Sequence, residues 1–188
     1  MPIYLIRHTQ PLRHKGICYG QSDLPVAPSF EQEALQIKTI IPQQFQTVFS
    51  SPLQRCSLLA SYLFPQQESI QLDALKELDF GRWEMQYWHD LPRHESDAWA
   101  IDFVNNAPPL GECFKDLHKR VTAVWDSRIV GHVSANTAVV AHAGVIRAIL
   151  VQVLGMPLRK AFSIGLEYGA VIRIDKIGKN DFQANFLK

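Results

Sequence analysis

Two short apolar runs, one near each end of the chain, constrain the fold most strongly. Residues 2–6 read PIYLI, and residues 137–141 read TAVVA. Runs of this length and composition predict strands that are buried on both faces, as in a parallel sheet. The second run leads through His142 into residues 145–154, which are almost wholly apolar. We expect that segment to form a deeply packed helix.

Strand and helix patterns alternate along the rest of the chain. We predict helices over 30–41, 52–65 and 114–130, and further strands over 47–50, 69–72, 169–175 and 182–186. In the second helix Ser51 is the predicted N-cap and Pro52 the first helical residue. This alternation predicts an α/β fold, a three-layer sandwich with a mostly parallel sheet flanked by helices. The last two strands are expected to form a hairpin or an edge pair.

The length of 188 residues suits a single domain spanning 1–188. Within it, residues 82–111 are rich in aromatic side chains and divided by Pro92, and we expect them to form a helical and loop cover over the functional site. The formal charge is only +1, so nothing indicates nucleic acid or an anionic membrane as a partner. Any anion must therefore be bound by a local cluster of basic residues and not by the net charge of the protein.

The three cysteines are scattered and form no Cys-x-x-Cys pair, which argues against a disulfide framework or a thiolate zinc site. A reduced, cytoplasmic setting is expected. No targeting segment is predicted, because no basic region precedes residues 2–6 and Arg7 interrupts the run. No apolar run approaches the roughly 20 residues that span a bilayer.

Chemically active side chains follow the predicted core strands. Arg7 and His8 come directly after the first strand, and His142 follows the strand 137–141. In open α/β sheets ligands bind beyond the carboxyl ends of the strands. Arg55 falls in the first turn of the second helix, where the helix dipole favours an anion.

Taken singly, these residues have ordinary explanations: Arg55 as a surface arginine, His142 as a core histidine, and Glu77 as a solvated loop carboxylate. Two arginines and two histidines converging on one point are different, because such a group is electrostatically unfavourable without an anion. A phosphoryl group supplies that anion, and guanidinium groups bind its oxygens bidentately.

Four pieces in this order carry a family resemblance: Arg-His after the first strand, SPLQR at 51–55, ELDFGRWE at 77–84, and a second His after an apolar strand. Together they resemble the histidine phosphatase superfamily, also called phosphoglycerate-mutase-like, over most of the chain. The resemblance implies the phosphoglycerate-mutase-like fold and a phosphatase activity that needs no cofactor or metal.

The resemblance also implies catalytic roles. His8 is the nucleophile that becomes a phosphohistidine, and Arg7, Arg55 and His142 form the phosphate clamp. Glu77 donates a proton to the leaving oxygen and then activates water. These roles are chemically reasonable, since a neutral imidazole can attack phosphorus and a carboxylic acid can protonate an alkoxide. Glu84 lies close by, but we expect it to begin a helix.

The chain departs from the family pattern at three points. The commoner Arg-His-Gly-Glu is here Arg-His-Thr-Gln, and Gln10 makes the pocket more positive by removing a carboxylate. Met85 replaces the glycine of Trp-Glu-Gly, so that turn is expected to differ. Cys113 replaces the serine of Gly-Glu-Ser. None of these changes removes a catalytic group.

The segment 17–25, ICYGQSDLP, resembles the α-ribazole-5′-phosphate phosphatase branch, which acts late in cobalamin biosynthesis. Tyr19 and Gly20 in this segment, with Ala143 and Gly144 after the second histidine, are the predicted substrate-binding residues. The expected partner is a small phosphorylated substrate. The oligomeric state is left open.

Four alternatives remain. A mutase must bind two phosphates, yet residues 82–111 contain only Arg82 and Arg93 as basic residues. A protein phosphohistidine phosphatase would need an open groove instead of a cover. A catalytically silent phosphate-binding module would not need both histidines and Glu77. A histidine-ligated metal protein is the last alternative, but the seven histidines form no tight ligand motif.

Overall fold

The computed structural model describes residues 2–132, 136–178 and 181–188. In chain order its main elements are β1 (Ile3–Arg7), α1 (Phe30–Lys38), β2 (Thr47–Ser50), α2 (Gln54–Leu63), β3 (Ile70–Gln71), α3 (Arg93–Ile101), α4 (Phe114–Val124), β4 (Thr137–Ala141), α5 (Ala143–Val153), β5 (Val171–Lys176) and β6 (Phe182–Phe186).

The strands form one mixed sheet with the order β3-β2-β4-β1-β5-β6. The four strands from β3 to β1 are parallel, whereas β5 runs antiparallel to β1 and to β6. The predicted α/β fold is confirmed, and the last two strands form the expected hairpin. Arg7 pairs in register with Ala141, so the residues that follow β1 and β4 leave the sheet side by side.

The sheet has an apolar core on each face. Leu5 and Val139 point to the face covered by α4 and α5, whereas Ile6 and Val140 point to the face covered by α1 and α2. This alternation is the two-residue period of a strand, and it explains why β1 and β4 are apolar at every core position. Eight of the residues of α5 are buried, because the helix packs between the sheet and α4.

The predicted start of the second helix is wrong. The helix begins at Gln54, and its N-cap residue is Leu53, not Ser51. Ser51 is fully buried and lies 2.8 Å from a ring nitrogen of His142. The first helical N–H group, that of Gln54, is instead capped by the Asp23 carboxylate at 2.8 Å. A tertiary contact therefore replaces the local cap.

The predicted helix over 114–130 is α-helical only as far as Val124. A π-helical turn, Trp125–Ile129, and a 3-10 turn, Val130–His132, follow it. Trp125 and Ile129 are both buried, and the wider turn keeps both side chains in the core. Cys113 begins α4 as its N-cap, with its thiol 3.0 Å from the Asp116 carboxylate.

Residues 85–88 pair with the loop that precedes Tyr19. Cys18 donates its N–H to the Gln86 carbonyl at 2.8 Å, and Met85 donates its own to the Cys18 carbonyl at 2.8 Å. Met85 has a φ of 67°, in the left-handed region that favours glycine. Residue 85 thus takes a glycine-type conformation although it is not glycine. Among the described residues, no helix has the length and apolar character needed to cross a membrane.

Candidate active site

The two histidines that follow β1 and β4 meet at the carboxyl edge of the sheet. Their ring centroids lie 5.1 Å apart, and the rings are tilted by 63°. His8 donates its backbone N–H to the Ala141 carbonyl at 3.0 Å, which extends the parallel pairing of the strands by one residue. His8 is 2% exposed and His142 is fully buried. Both side chains therefore have a fixed place.

The His8 ring is held in one tautomer. Its Nδ1 lies 2.7 Å from the Thr9 carbonyl oxygen, which can only accept, so Nδ1 carries the proton. The pKa of His8 is held well below 6.5, mainly by burial and also by Arg55 and Arg7, although the Thr9 carbonyl acts in the opposite direction. A neutral imidazole with its lone pair on Nε2 can attack phosphorus.

Arg55 lies in the first turn of α2 with its side chain fully buried. Its Nη1 donates to the Ser22 carbonyl at 2.9 Å, and its Nη2 donates to the Gly20 carbonyl. Its Nε is buried without a hydrogen-bond partner in the described part of the chain. A buried guanidinium N–H group without an acceptor is unfavourable, so an anion at this point would be stabilised.

Arg7 approaches from the end of β1. Its Nη1 donates to the Leu166 carbonyl, and its guanidinium stacks 4.1 Å from the centre of the Tyr168 ring. Like Arg55, it has a buried Nε for which the described residues provide no acceptor. Both predicted arginines are close enough to lower the pKa of His8, and each has a buried Nε–H without an acceptor among the described residues.

His142 is the N-cap residue of α5. Its Nε2 lies 2.8 Å from the Ser51 hydroxyl and 3.5 Å from the Cys56 sulfur. Burial, followed by Arg55 and His8, holds the pKa of His142 well below 6.5. Burial also raises the pKa of the Cys56 thiol, so the sulfur stays protonated beside the ring. The imidazole is neutral and can hydrogen-bond an anion without adding charge of its own.

Glu77 lies on the connection after β3, and its carboxylate reaches the first turn of α5. Oε2 accepts the N–H of Gly144 at 3.1 Å, and Oε1 accepts the N–H of Leu78 at 2.9 Å. A methyl group at position 144 would lie 2.3 Å from Oε1, so a larger residue there would displace the Glu77 carboxylate. The carboxyl group therefore lies against the first turn of α5, the helix that His142 caps.

Glu84 does not begin a helix, and that prediction is wrong. It follows a single 3-10 turn, Gly81–Trp83, and its carboxylate accepts the N–H groups of Gln21 at 2.7 Å, Phe80 at 3.2 Å and Ser22. The Ser22 hydroxyl also binds it. Glu84 thus holds the loop whose carbonyls bind Arg55, and its acceptor sites are occupied.

The predicted substrate-binding residues have different surroundings. A methyl group at Gly20 would lie 1.8 Å from the Leu78 carbonyl, so the loop can pass there only as glycine. Tyr19 and Tyr168 pair through their hydroxyl groups at 2.7 Å. Ala143 is 7% exposed and opens α5 beside Gly144.

Sequence reasoning missed Tyr168 and Arg13. Tyr168 lies 5.7 Å from the His8 ring, measured between centroids, and its hydroxyl accepts from Arg13 Nη2 at 3.2 Å. The Gly169 N–H bonds the His8 carbonyl at 3.1 Å and so brings Tyr168 to the site. The sequence offers no signal for it, because Tyr168 follows no strand and belongs to none of the four motif segments.

The candidate site is defined by its chemistry and not by cavity size. A cavity of about 800 Å³ lies at the opposite, amino end of β2, lined by Ile41, Phe45 and Phe64 among others. The described residues that line it include no histidine and no buried charged side chain. The histidine and arginine cluster instead lies against the two tyrosines, with the Arg7 guanidinium 4.1 Å from the centre of the Tyr168 ring and that of Arg55 5.5 Å from the centre of the Tyr19 ring.

The family model described as "Histidine phosphatase superfamily (branch 1)" matches residues 3–185. The chain belongs to this superfamily. As a histidine phosphatase it acts on small phosphorylated substrates. The adenosylcobalamin/alpha-ribazole phosphatase of Salmonella typhimurium is 27% identical to it, with 93% of this chain and 90% of that protein covered.

Two further comparisons agree with the superfamily assignment. A putative phosphoserine phosphatase 2 of Hydrogenobacter thermophilus is 26% identical, with 94% of this chain and 90% of that protein covered. The crystal structure of the alpha-ribazole phosphatase from Shigella flexneri superposes with a TM-score of 0.89 at 25% identity, and covers 100% of this histidine phosphatase and 96% of the other chain.

Proposed function

We propose that this histidine phosphatase hydrolyses phosphomonoesters through a phosphohistidine at His8, without a metal ion, and that α-ribazole 5′-phosphate is its substrate. One observation carries the mechanism. Burial, with Arg55 and Arg7, holds His8 neutral, and the Thr9 carbonyl keeps the ring proton on Nδ1, beside two guanidinium groups that each have a buried Nε–H without an acceptor among the described residues.

In the first step the phosphate dianion binds between Arg7 and Arg55, with His142 as a further contact. Nε2 of His8 attacks phosphorus as the ester P–O bond breaks, and the guanidinium groups stabilise the charge that spreads over the equatorial oxygens. Protonated Glu77 gives its proton to the leaving oxygen. The products are the free alcohol and the phosphohistidine.

In the second step the Glu77 carboxylate takes a proton from water, and the oxygen of that water attacks phosphorus. The P–N bond to His8 breaks, which regenerates the neutral imidazole and releases inorganic phosphate. Glu77 returns to its acid form, so protons balance over the cycle. Among the described residues no three histidine, cysteine, aspartate or glutamate side chains cluster as metal ligands, and the arginines supply the positive charge.

Two features support the substrate assignment. The segment 17–25 resembles the α-ribazole-5′-phosphate phosphatase branch, and the compared proteins include enzymes of that name. The Tyr19–Tyr168 pair lines the approach to His8 with aromatic surface, which suits a ribosyl-benzimidazole leaving group. Residues 85–88 pair with the loop before Tyr19, which supports the proposed role of residues 82–111 as a cover.

The test is a phosphatase screen of EDTA-treated protein. The panel contains α-ribazole 5′-phosphate, phosphoserine, 3-phosphoglycerate and a phosphohistidine peptide. We expect the highest kcat/KM for α-ribazole 5′-phosphate and no gain on adding divalent metal. A preference for phosphoserine or for the peptide would overturn the substrate assignment. Activity that is lost on chelation and restored by metal would overturn the mechanism.

A further inference from the structure

We propose that Arg120 and Glu112 are positioning residues for Glu77, through which α4 holds the proton donor in place. The inference rests on the proposed role of Glu77 as general acid. Neither residue is assigned a role by the family resemblance above. Their contacts with the connection after β3 carry the argument.

The Arg120 side chain extends from α4 and binds three backbone carbonyl groups of that connection. Nη1 donates to the carbonyl oxygens of Ala74 at 2.7 Å and Lys76 at 2.8 Å, and Nη2 donates to that of Glu77 at 2.9 Å. Three main-chain acceptors on one guanidinium fix the backbone from residue 74 to residue 77. The backbone of Glu77 is therefore held directly.

Glu112 completes the arrangement from the other side. Its carboxylate pairs with Arg120 in the bidentate manner, through Nε at 3.0 Å and Nη2. Its Oε1 also accepts the Asp79 N–H at 3.0 Å, and its own N–H bonds the Asp79 carbonyl at 3.0 Å. The Arg120 and Glu112 side chains are only 24% and 16% exposed, so water screens the pair weakly. Glu77 thus lies between two anchored points of the backbone.

This restraint matters because the connection has little regular structure of its own. A single 3-10 turn, Asp73–Leu75, precedes Glu77, and the next such turn begins at Gly81. The Glu77 carboxylate must meet the Gly144 N–H at one end and the leaving oxygen at the other. Misplacement of a catalytic group by about 1 Å can cost about 10²-fold in rate.

A variant that lowers the reaction rate by displacing Glu77 should do so to an extent that depends on the leaving group. Proton donation is worth about 10²–10⁴ in rate for a poor leaving group. It is worth far less for p-nitrophenolate, which leaves without a proton. A variant that only loosens the fold would slow both substrates equally. The ratio of the two losses therefore separates positioning from general structural damage.

The experiment measures phosphohistidine formation by rapid alkaline quench in a single turnover. The variants are Arg120→Met, Glu77→Gln, the double variant, and Arg128→Met as a control on an exposed arginine of the π-helical turn. We expect Arg120→Met to lose about 10²-fold with an alkyl phosphate and under about tenfold with p-nitrophenyl phosphate. The double variant should be no slower than Glu77→Gln alone, because the two residues act as one unit. Arg128→Met should match the wild type.

Arg120→Lys serves as the second variant if Arg120→Met does not fold. Lysine keeps the charge but cannot bind three carbonyls and a carboxylate at once, so we expect an intermediate loss with the same substrate selectivity. Equal losses with both substrates, or a double variant whose loss is the product of the single losses, would overturn the inference. If Glu77→Gln itself shows no selectivity, the proposed role of Glu77 fails and this inference fails with it.

Discussion

Gly144 donates its backbone N–H to the Glu77 carboxylate across 3.1 Å, and it does so two residues after His142. This bond joins the proposed proton donor to the helix that carries the second histidine of the site. It also limits what residue 144 can be, since a methyl group there would lie 2.3 Å from Glu77 Oε1. Gly144 lies in the first turn of α5, where alanine would otherwise be preferred.

Gly144→Ala is therefore expected to separate stability from activity. Alanine in a helix gains up to about 1 kcal/mol over glycine, which offsets the strain of the new contact. The Glu77 carboxylate must move, so turnover of an alkyl phosphate should fall by about 10²-fold. Thermal unfolding and steady-state kinetics on one preparation measure both effects. Full activity in Gly144→Ala would show that the Glu77 carboxylate is not needed at this position.

Glu77→Gln and Glu84→Gln should impair different properties of the enzyme. Glu77→Gln should lose about 10²–10⁴ in phosphohistidine formation with an alkyl phosphate, and much less with p-nitrophenyl phosphate. Glu84→Gln keeps Glu77 but weakens the loop that binds Arg55. We expect it to raise KM and to lower stability by about 1–3 kcal/mol, with no dependence on the leaving group. A larger alkyl-phosphate loss in Glu84→Gln would transfer the acid role to Glu84.

The buried histidines predict how stability varies with pH. Burial lowers the pKa of His8 and of His142 in the folded protein, so below pH 6.5 the unfolded chain binds protons that the folded chain does not. The free energy of unfolding therefore keeps its full value above pH 6.5 and falls as the pH drops, by up to about 1.4 kcal/mol per pH unit for each imidazole. Urea unfolding from pH 8 to pH 5 measures this slope, and His8→Asn should reduce it. A stability that rises on acidification would contradict the burial of neutral imidazoles.

Met85→Gly is expected to stabilise the protein. The left-handed φ of 67° at Met85 costs about 1–2 kcal/mol for a residue with a Cβ atom. Glycine avoids this cost but loses about 0.5–1 kcal/mol more backbone conformational entropy on folding. The net gain should be about 0.5–1 kcal/mol. Met85→Ala is the matched control, because it shortens the exposed side chain but keeps the Cβ atom. An equal gain in both variants would mean that the side chain, and not the φ angle, carries the cost.

Local patterns predicted the sheet and most of the site because both depend on short apolar runs. β4 was predicted at its observed bounds and β1 to within one residue of them, and once the two strands pair in parallel, His8 and His142 must emerge together. The N-cap at Ser51 was predicted wrongly, because a buried contact with His142 outweighs local capping preference. Tyr168 could not be predicted from pattern, since its partner Tyr19 is 149 residues away in sequence. Contacts of that kind depend on the folded topology alone.

The central claim is that His8 carries the phosphoryl group between the two steps. Its most direct test is acid-free quenching of a single turnover with ³²P-labelled substrate, followed by peptide mapping of the labelled protein. We predict acid-labile, base-stable label on the peptide that contains His8, and no label and no turnover in His8→Ala, which should still fold. Label on a cysteine or a carboxylate, or turnover that survives in His8→Ala, would contradict the account.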